Sequence, residues 1–381
     1  MTPLILLFGI AFVVCVDIRI LTPVLPSVSS SLRATPGVVG LAMTSYTFAY
    51  GAGQLFYGPL SDRMGRIAVV RMAGLGFSLC TVLSALAMTH WQFIAIRFVA
   101  GAFAGAVIPL ALVYIGDTVE YGRRQIVLGR FSAVTSAAFA FSASIGGTVA
   151  HFVSWRVMLV GYALLALLPV GLMWRLDAGE PTATAEAPAA PVHFSDFLRS
   201  GRAQAVYLAV FLEGFFVWGS ATYLAAFGAH RHGLDQFSVG LLIALLGVGT
   251  MSSGLCMARV RHWLSENALA VSGGVLMGVA FTLLVLPWSW LVLPASTFLL
   301  GLGYAALHTT LQLRGTEISS AARGKAFSLF AFSLFAGNAA GTAAFGRLVD
   351  AGRYELAFTI SAAGLVAVGI GTALAGRSPK R

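Results

Sequence analysis

Long apolar stretches, each of about twenty residues, dominate this sequence of 381 residues. A helix that crosses the hydrocarbon core of a bilayer needs roughly 20 mainly apolar residues, so each stretch predicts one membrane-spanning helix. Twelve such spans are expected, near residues 4–28, 37–60, 67–88, 91–116, 130–153, 157–175, 203–228, 238–257, 267–287, 290–312, 326–348 and 355–376. Helices satisfy their own backbone hydrogen bonds in lipid, whereas open strands do not. We therefore expect an all-α membrane protein.

The number and the positions of the charged residues support this fold class. Only 10% of the residues are charged, against about 25% in a typical soluble domain, so the chain could not cover a water-exposed surface. With both termini in the cytoplasm, most Lys and Arg residues fall in the cytoplasmic loops, as the positive-inside rule requires. The net charge of +10 is therefore an orientation signal spread over short loops. It argues against a nucleic-acid-binding protein.

A polar segment divides the chain into two sets of six predicted helices. Residues 177–202 contain three prolines within an Ala-, Thr- and Glu-rich stretch, a composition typical of a flexible linker. The predicted domains are an N-terminal half (1–176), this cytoplasmic linker, and a C-terminal half (203–381). The loop after the second span, 58–66, has a weak counterpart after the eighth, 254–261. Paired six-helix halves around a central cavity are an architecture of secondary transporters.

Four ionisable side chains lie clearly within the predicted spans: Asp17, Arg19, Arg97 and Glu213. Charges inside a bilayer are costly, which makes them candidates for function. Asp17 and Glu213 lie in the first span of each half. A carboxyl group in a partly dry cavity can take up and release a proton as its exposure changes. We expect one or both to couple protons to transport, the alternative being an acid neutralised by Arg19 or Arg97.

Arg19 follows Asp17 by two residues, which places it about 200° away around an α-helix. The two side chains therefore cannot both face a central cavity unless Pro23 distorts the helix. Two roles stay open for Arg19: it binds an anionic substrate, or it pairs with a neighbouring helix.

Further polar and aromatic side chains in the spans are candidates for lining the substrate cavity together with Arg19. They are Tyr46, Gln54, Tyr114, Trp218, Tyr223, His308 and Gln312. The same residue types are common in packed interiors and at membrane interfaces. A cavity of aromatic side chains with few hydrogen-bonding groups suits amphipathic or cationic compounds.

The segment Gly53-Gln-Leu-Phe-Tyr-Gly58-Pro-Leu-Ser-Asp62-Arg63-Met-Gly65-Arg66 resembles the loop signature between the second and third helices of the major facilitator superfamily. It is especially similar to the twelve-span drug:proton antiporters of the bicyclomycin-resistance type. Arg97 with Gly101 and Gly105 also matches a motif of that family's fourth helix.

This resemblance implies the major facilitator fold and roles for several residues. Arg97 is expected to act in proton coupling or in structure. A cytoplasmic charge cluster is expected to latch the two halves in the outward-open state; its members are Asp62, Arg63, Gly65, Arg66 and Asp117.

The sequence thus predicts a proton-coupled secondary transporter that exports small amphipathic or drug-like compounds by alternating access. The antiporters carry Gly-Pro before the Gly-Gly pair of the fifth helix, whereas Ser142-Ala143 precedes Gly146-Gly147 here. A proton-coupled importer of a small organic solute is therefore the alternative, and a polytopic membrane enzyme or sensor is a more remote one.

The remaining expectations concern cofactors, partners and location. We find no phosphate-binding loop ending in Gly-Lys-Ser/Thr and no convincing metal-ligand set in the sequence. We therefore expect no metal, no cofactor and no catalytic residue, with the proton gradient as the energy source. The expected partners are a small-molecule substrate and membrane lipids, for a monomer in the bacterial inner membrane.

Overall fold

The chain folds into an all-helical bundle, as the sequence predicts. The computed structural model describes residues 2–175, 197, 200–287, 291–319 and 323–376, and no strand occurs among them. Its long helical segments are, in chain order, α1 (Thr2–Ile20), α2 (Pro36–Met64), α3 (Arg66–Leu86), α4 (His90–Thr118), α5 (Tyr121–Phe152), α6 (Trp155–Trp174), α7 (Gly201–His232), α8 (Gln236–Trp263), α9 (Glu266–Val285), α10 (Val292–Thr316), α11 (Arg323–Asp350) and α12 (Tyr354–Ala375). Eleven of the described helices, all of these except α2, are long and apolar enough to cross a membrane. With 29 residues, α2 is also long enough to cross a membrane.

Several helices extend beyond the apolar stretches that predicted them. The clearest cases are α5, which begins at Tyr121, and α8, which continues to Trp263. A helix can continue past the hydrocarbon layer because its backbone hydrogen bonds are internal, and some helix N-termini are fixed by a side chain that accepts from a free backbone N–H group. Thr35 caps α2 in this way, by accepting a hydrogen bond from the backbone N–H of Val38.

Three helices are interrupted. The predicted first span is broken after Ile20 by a turn that contains Pro23, and a short helix, Leu25–Ser31, follows. The fourth helix breaks between Ala104 and Val107. In α7 a π-helical turn spans Gly214–Trp218. Such turns occur frequently at functional sites, because they change the direction of the side chains that follow.

Two helix pairs join the first six helices to the last six. One pair is α2 with α11, and the other is α5 with α8. Glycines allow these backbones to approach closely: a Cβ on Gly37 would overlap the carbonyl of Gly346, and one on Gly147 would overlap the carbonyl of Gln236. The predicted linker, 177–202, lies outside the described residues except for Phe197 and positions 200–202.

We name the two ends of the bundle by what they contain. The end where α1 begins and α12 ends is called the termini end. The other end, which contains the α1–α2, α5–α6, α7–α8 and α11–α12 connections, is called the opposite end.

Candidate functional site

Asp17 is fully buried in the first half and is bound by a cation on α4. The guanidinium of Arg97 contacts both carboxylate oxygens, with Nη1 3.1 Å from Oδ1 and Nη2 2.8 Å from Oδ2. The hydroxyl of Tyr162 donates to the same carboxylate. Arg97 also lies over the ring of Tyr46, with Cζ 4.2 Å from its centroid. A bidentate charge-assisted pair of this kind is a strong interaction, and it satisfies most of the hydrogen-bonding capacity of Asp17.

Glu213 is fully buried in the second half and is bound by an imidazole on α10. Nδ1 of His308 lies 2.8 Å from Oε2 of Glu213. The second oxygen, Oε1, has no hydrogen-bond partner. The His308 side chain is 17% exposed, whereas that of Glu213 is fully buried, so the pair is accessible from outside only through His308.

The two buried pairs occupy corresponding places in the two halves. In each half, the first helix carries the acid and the fourth helix carries its basic partner. Their chemistry differs, because the partner of Asp17 is a guanidinium, which stays protonated in proteins, whereas the partner of Glu213 is an imidazole.

Burial of Glu213 follows from glycine contacts between α7 and α11. A Cβ on Gly337 would overlap the carbonyl of Phe211, and one on Gly341 would overlap the carbonyl of Phe215. These carbonyls flank Glu213 along the chain, so α11 covers this segment of α7 at backbone distance. Glycines one helical turn apart thus allow close helix packing, here and at Gly101, whose Cβ would overlap the carbonyl of Tyr46.

Arg19 faces the second half, away from Asp17. Its Cζ lies 3.5 Å from the centroid of the Trp218 ring on α7. The ring of Trp218 packs edge-on against Tyr304, with centroids 4.8 Å apart, and Tyr304 stacks on His308 with centroids 4.9 Å apart. An aromatic series therefore connects Arg19 of the first half with the acid–base pair of the second. The side chains of Asp17 and Arg19 point to different partners, as their helical spacing predicts.

The other residues predicted to line the cavity are spread over the bundle. Tyr46 is buried beside Arg97, and its hydroxyl has no hydrogen-bond partner. Gln54 and Tyr114 are partly buried, and Gln312 is exposed one turn beyond His308. The structure therefore brings only part of the predicted set together around Arg19, namely Trp218 and His308.

Tyr223 lies apart from these groups. It is 1% exposed, and its hydroxyl donates to the carbonyl of Thr342 at 2.8 Å. A Cβ on Gly40 would overlap the same hydroxyl. The Tyr223 side chain thus belongs to the packed contact between α2, α7 and α11.

The charge cluster predicted to act as a latch is assembled at the termini end. Arg66 links the two acids of the cluster, because its Nη1 pairs with Asp62 and its Nε lies 3.4 Å from Oδ2 of Asp117. Gly65 has φ = 87°, a left-handed conformation that lets α2 turn directly into α3. Arg63 is exposed. Every contact described for these residues lies within the first half.

A set of polar contacts that the sequence did not reveal joins the halves at the opposite end. Oδ1 of Asp350 accepts a hydrogen bond from the backbone N–H of Gly37 at 2.7 Å, and the hydroxyl of Thr35 donates to its Oδ2 at 2.7 Å. The carboxylate at the end of α11 thus caps the beginning of α2, where the helix dipole favours negative charge. The amide of Gln236 donates to the hydroxyl of Ser27.

A second contact at the opposite end involves Asp235 and His151. Asp235 caps α8, and the hydrogen bond from the backbone N–H of Ser238 holds the pKa of its carboxyl below the usual range. Nδ1 of His151 lies 3.7 Å from the same carboxylate. Like the contacts of Asp350, this pair joins the two halves at this end. No motif in the sequence indicated these residues, since each forms its contact with a segment far along the chain.

The described residues form twelve long helices in two sets of six, and in each set the first helix carries a buried acid and the fourth its basic partner, an architecture of polytopic membrane carriers. The comparisons with known proteins agree with that class. The family model of the Major Facilitator Superfamily matches residues 7–319, and the chain belongs to this family. It is thus a membrane transporter and not an enzyme.

Relatives and solved structures place the chain among diverse members of the family. It is 25% identical to an uncharacterized MFS-type transporter, YceJ, of Bacillus subtilis, over 93% of this chain and 91% of that protein. It is 26% identical to a chloramphenicol resistance protein of Pseudomonas aeruginosa, over 74% of this chain and 69% of that protein. A bacterial homologue of the human lysosomal transporter Spinster shares the fold, with a TM-score of 0.83 at 16% identity, over 99% of this chain and 96% of that one.

Proposed function

We propose that this protein is a proton-coupled carrier that exports small amphipathic or drug-like compounds by alternating access. The observation that carries the proposal is the buried contact between Glu213 and His308, 2.8 Å apart. A carboxyl group and an imidazole can each bind and release a proton, whereas a guanidinium stays protonated, so this pair offers two groups that can carry the coupled proton. The similarity to a chloramphenicol resistance protein supports export of drug-like compounds.

Alternating access supplies the mechanism in this proposal. The contacts of Asp350 with Gly37 and Thr35 hold the halves together at the opposite end. With the termini in the cytoplasm of a bacterial cell, this state would have its external side closed. A change in the proton content of the Glu213–His308 pair alters the charge at the boundary, and a difference in charge between two states shifts their populations.

Transport in proteoliposomes tests this function. We would impose a pH gradient and follow accumulation of radiolabelled amphipathic compounds of different charge, among them neutral chloramphenicol and an aromatic carboxylate. Lumen pH would be recorded with a trapped dye. The wild-type protein and the control Glu317→Gln, which alters an exposed carboxylate, are expected to accumulate compound against its gradient. Glu213→Gln is expected to lose this accumulation. Undiminished accumulation by Glu213→Gln would refute the proposed role of Glu213 in proton coupling.

Proton-coupled import of a small organic solute is the second candidate. It is favoured by Arg19, which has no acidic partner among the described residues. A cation at the boundary can hold an anionic solute, and an anion moved together with one proton transfers no net charge. The sign of the pH change in the lumen distinguishes the two candidates, since a symporter moves protons in the same direction as its solute.

A further inference from the structure

We propose that Arg19 is the binding group for an anionic moiety of the substrate, so that the compounds carried are organic anions with an apolar or aromatic body. This inference deepens the proposed function by assigning its substrate class. It rests on the chain being a transporter and holds for either direction of transport.

The first argument is that Arg19 is buried without a neutralising partner. Its side chain is 8% exposed, its Nε has no hydrogen-bond partner, and none of its described contacts is with a carboxylate. The comparable buried cation, Arg97, donates hydrogen bonds to both carboxylate oxygens of Asp17. A buried charge is costly unless it is paired, and Arg19 is the one of these two that lacks its counter-charge. A substrate anion would supply it.

The second argument is the orientation of the guanidinium. Its Cζ lies over the ring of Trp218, 3.5 Å from the centroid, so the ring packs against the guanidinium carbon and cannot accept hydrogen bonds from all of its N–H donors. Those donors form a fork that matches two oxygens of a carboxylate, phosphate or sulfonate. The π-helical turn Gly214–Trp218 positions this ring.

The third argument concerns the neighbouring surface. Beyond Trp218 lie Tyr304 and His308, each partly exposed and in ring contact with the next. These rings offer an apolar, aromatic wall beside the charged group, on which a hydrophobic body can pack. Arg19 belongs to the first half and the aromatic wall to the second. A ligand that bridges them is therefore bound in one arrangement of the halves and released when they separate.

Equilibrium binding to the purified protein tests this inference without requiring transport. The probes share one apolar body and differ in the charge of the attached group: 2-naphthoate, 2-naphthamide and 2-naphthylmethylamine, with octanoate and octanamide as an aliphatic pair. Binding is measured in detergent by thermal stabilisation and by displacement of radiolabelled naphthoate. We expect the carboxylates to bind at least about tenfold more tightly than the amides, a difference of the size expected for one charge-assisted contact.

Three variants assign the effect to Arg19. Arg19→Gln is expected to remove the preference for carboxylates, and Arg19→Lys to reduce it, because lysine keeps the charge but lacks the fork. The control Arg202→Gln, an exposed cation, is expected to bind as the wild type does. If Arg19→Gln does not fold, the test rests on Arg19→Lys, in which a reduced preference for carboxylates over amides would support the inference.

The inference is overturned if no carboxylate stabilises the wild type more than its amide, or if a folded Arg19 variant keeps the full preference. Its failure is separable from that of the proposed function. Gradient-driven transport of a neutral or cationic compound that Arg19→Gln leaves unchanged would contradict the substrate class only. Loss of proton coupling with intact carboxylate binding would contradict the coupling only.

Discussion

The imidazole of His308 contacts the carboxylate of Glu213 at 2.8 Å, in the place where Arg97 contacts Asp17 in the other half. One acid is held by a guanidinium and the other by an imidazole. The first two predictions test the proposed coupling role of the Glu213–His308 pair and a structural role of the Asp17–Arg97 pair.

Replacing His308 by glutamine is expected to weaken the pH dependence of transport. Glutamine keeps a hydrogen-bond donor near Glu213 but removes the ionisable imidazole. We expect the rate of gradient-driven transport to vary less between about pH 5.5 and 8.5 than it does in the wild type. The control is His262→Gln, which alters an exposed histidine at the termini end. An unchanged pH profile for His308→Gln would argue against a role in proton transfer.

Asp17→Asn is expected to destabilise the protein by about 3–5 kcal/mol, since it leaves Arg97 buried without a counter-charge. The double variant Asp17→Asn/Arg97→Gln should lose less than the sum of the single changes, because it removes both charges. Thermal unfolding in detergent measures this. Glu317→Gln breaks an exposed pair with Arg202 and should change stability by less than about 1 kcal/mol. Additive losses would show that the two groups are not coupled.

Asp350→Asn is expected to open the opposite end of the bundle more often. It weakens the contacts with Gly37 and Thr35, which join the two halves. We expect labelling of Ser27→Cys by a membrane-impermeant maleimide to rise several-fold, in a background where the exposed Cys256 is replaced by serine. Glu355→Gln is the control, because its pair with Arg231 lies within one half. Equal labelling in both variants would show that Asp350 does not hold this end closed.

Gly337→Ala is expected to destabilise the protein by about 1–3 kcal/mol, the usual range for overpacking. Its Cβ would overlap the carbonyl of Phe211 and push α11 away from the helix that carries Glu213. Gly171→Ala is the matched control, since nothing lies within 4 Å of its Cβ position. Thermal unfolding and transport rates provide the readout. A stable, active Gly337→Ala protein would mean that α7 and α11 tolerate a wider separation.

Asp62→Asn is expected to slow transport and to leave substrate affinity unchanged. The change removes one carboxylate from Arg66, in a cluster that lies far along the bundle from Arg19. Initial rates in proteoliposomes and equilibrium binding in detergent separate the two effects. Glu266→Gln, which breaks an exposed pair with Arg261 at the same end, serves as the control. An unchanged transport rate would remove the basis for a latch.

Helix number and fold class could be predicted because both depend on local properties of the chain. Span length and hydropathy fix where a helix crosses a bilayer, and loop charge predicts its orientation. The helix ends were less predictable, since α5 and α8 extend past their apolar stretches to polar positions such as Asp235. Capping depends on individual side chains and not on average hydropathy.

The sequence predicted which charged residues belong to the candidate site, but it did not predict which of them contact each other. Asp17, Arg19, Arg97 and Glu213 stand out in the sequence because a bilayer disfavours charge. The sequence left open whether an arginine neutralises Asp17, and it did not join His308 to Glu213. Tyr223 was grouped with the cavity residues, yet it packs between α2 and α11.

By itself, the sequence determined that this chain spans a membrane many times and places four charges within its spans, because hydropathy acts over one helix at a time. The transporter architecture was predicted from the division into two halves and from the resemblance of residues 53–66 to a family signature. Only the tertiary structure decided which charges neutralise each other, that Arg19 faces an aromatic wall without a counter-charge, and that Asp350 joins the two halves. Each of these facts depends on the rotation and separation of helices that are up to 315 residues apart in the chain, and no local pattern encodes such a distance.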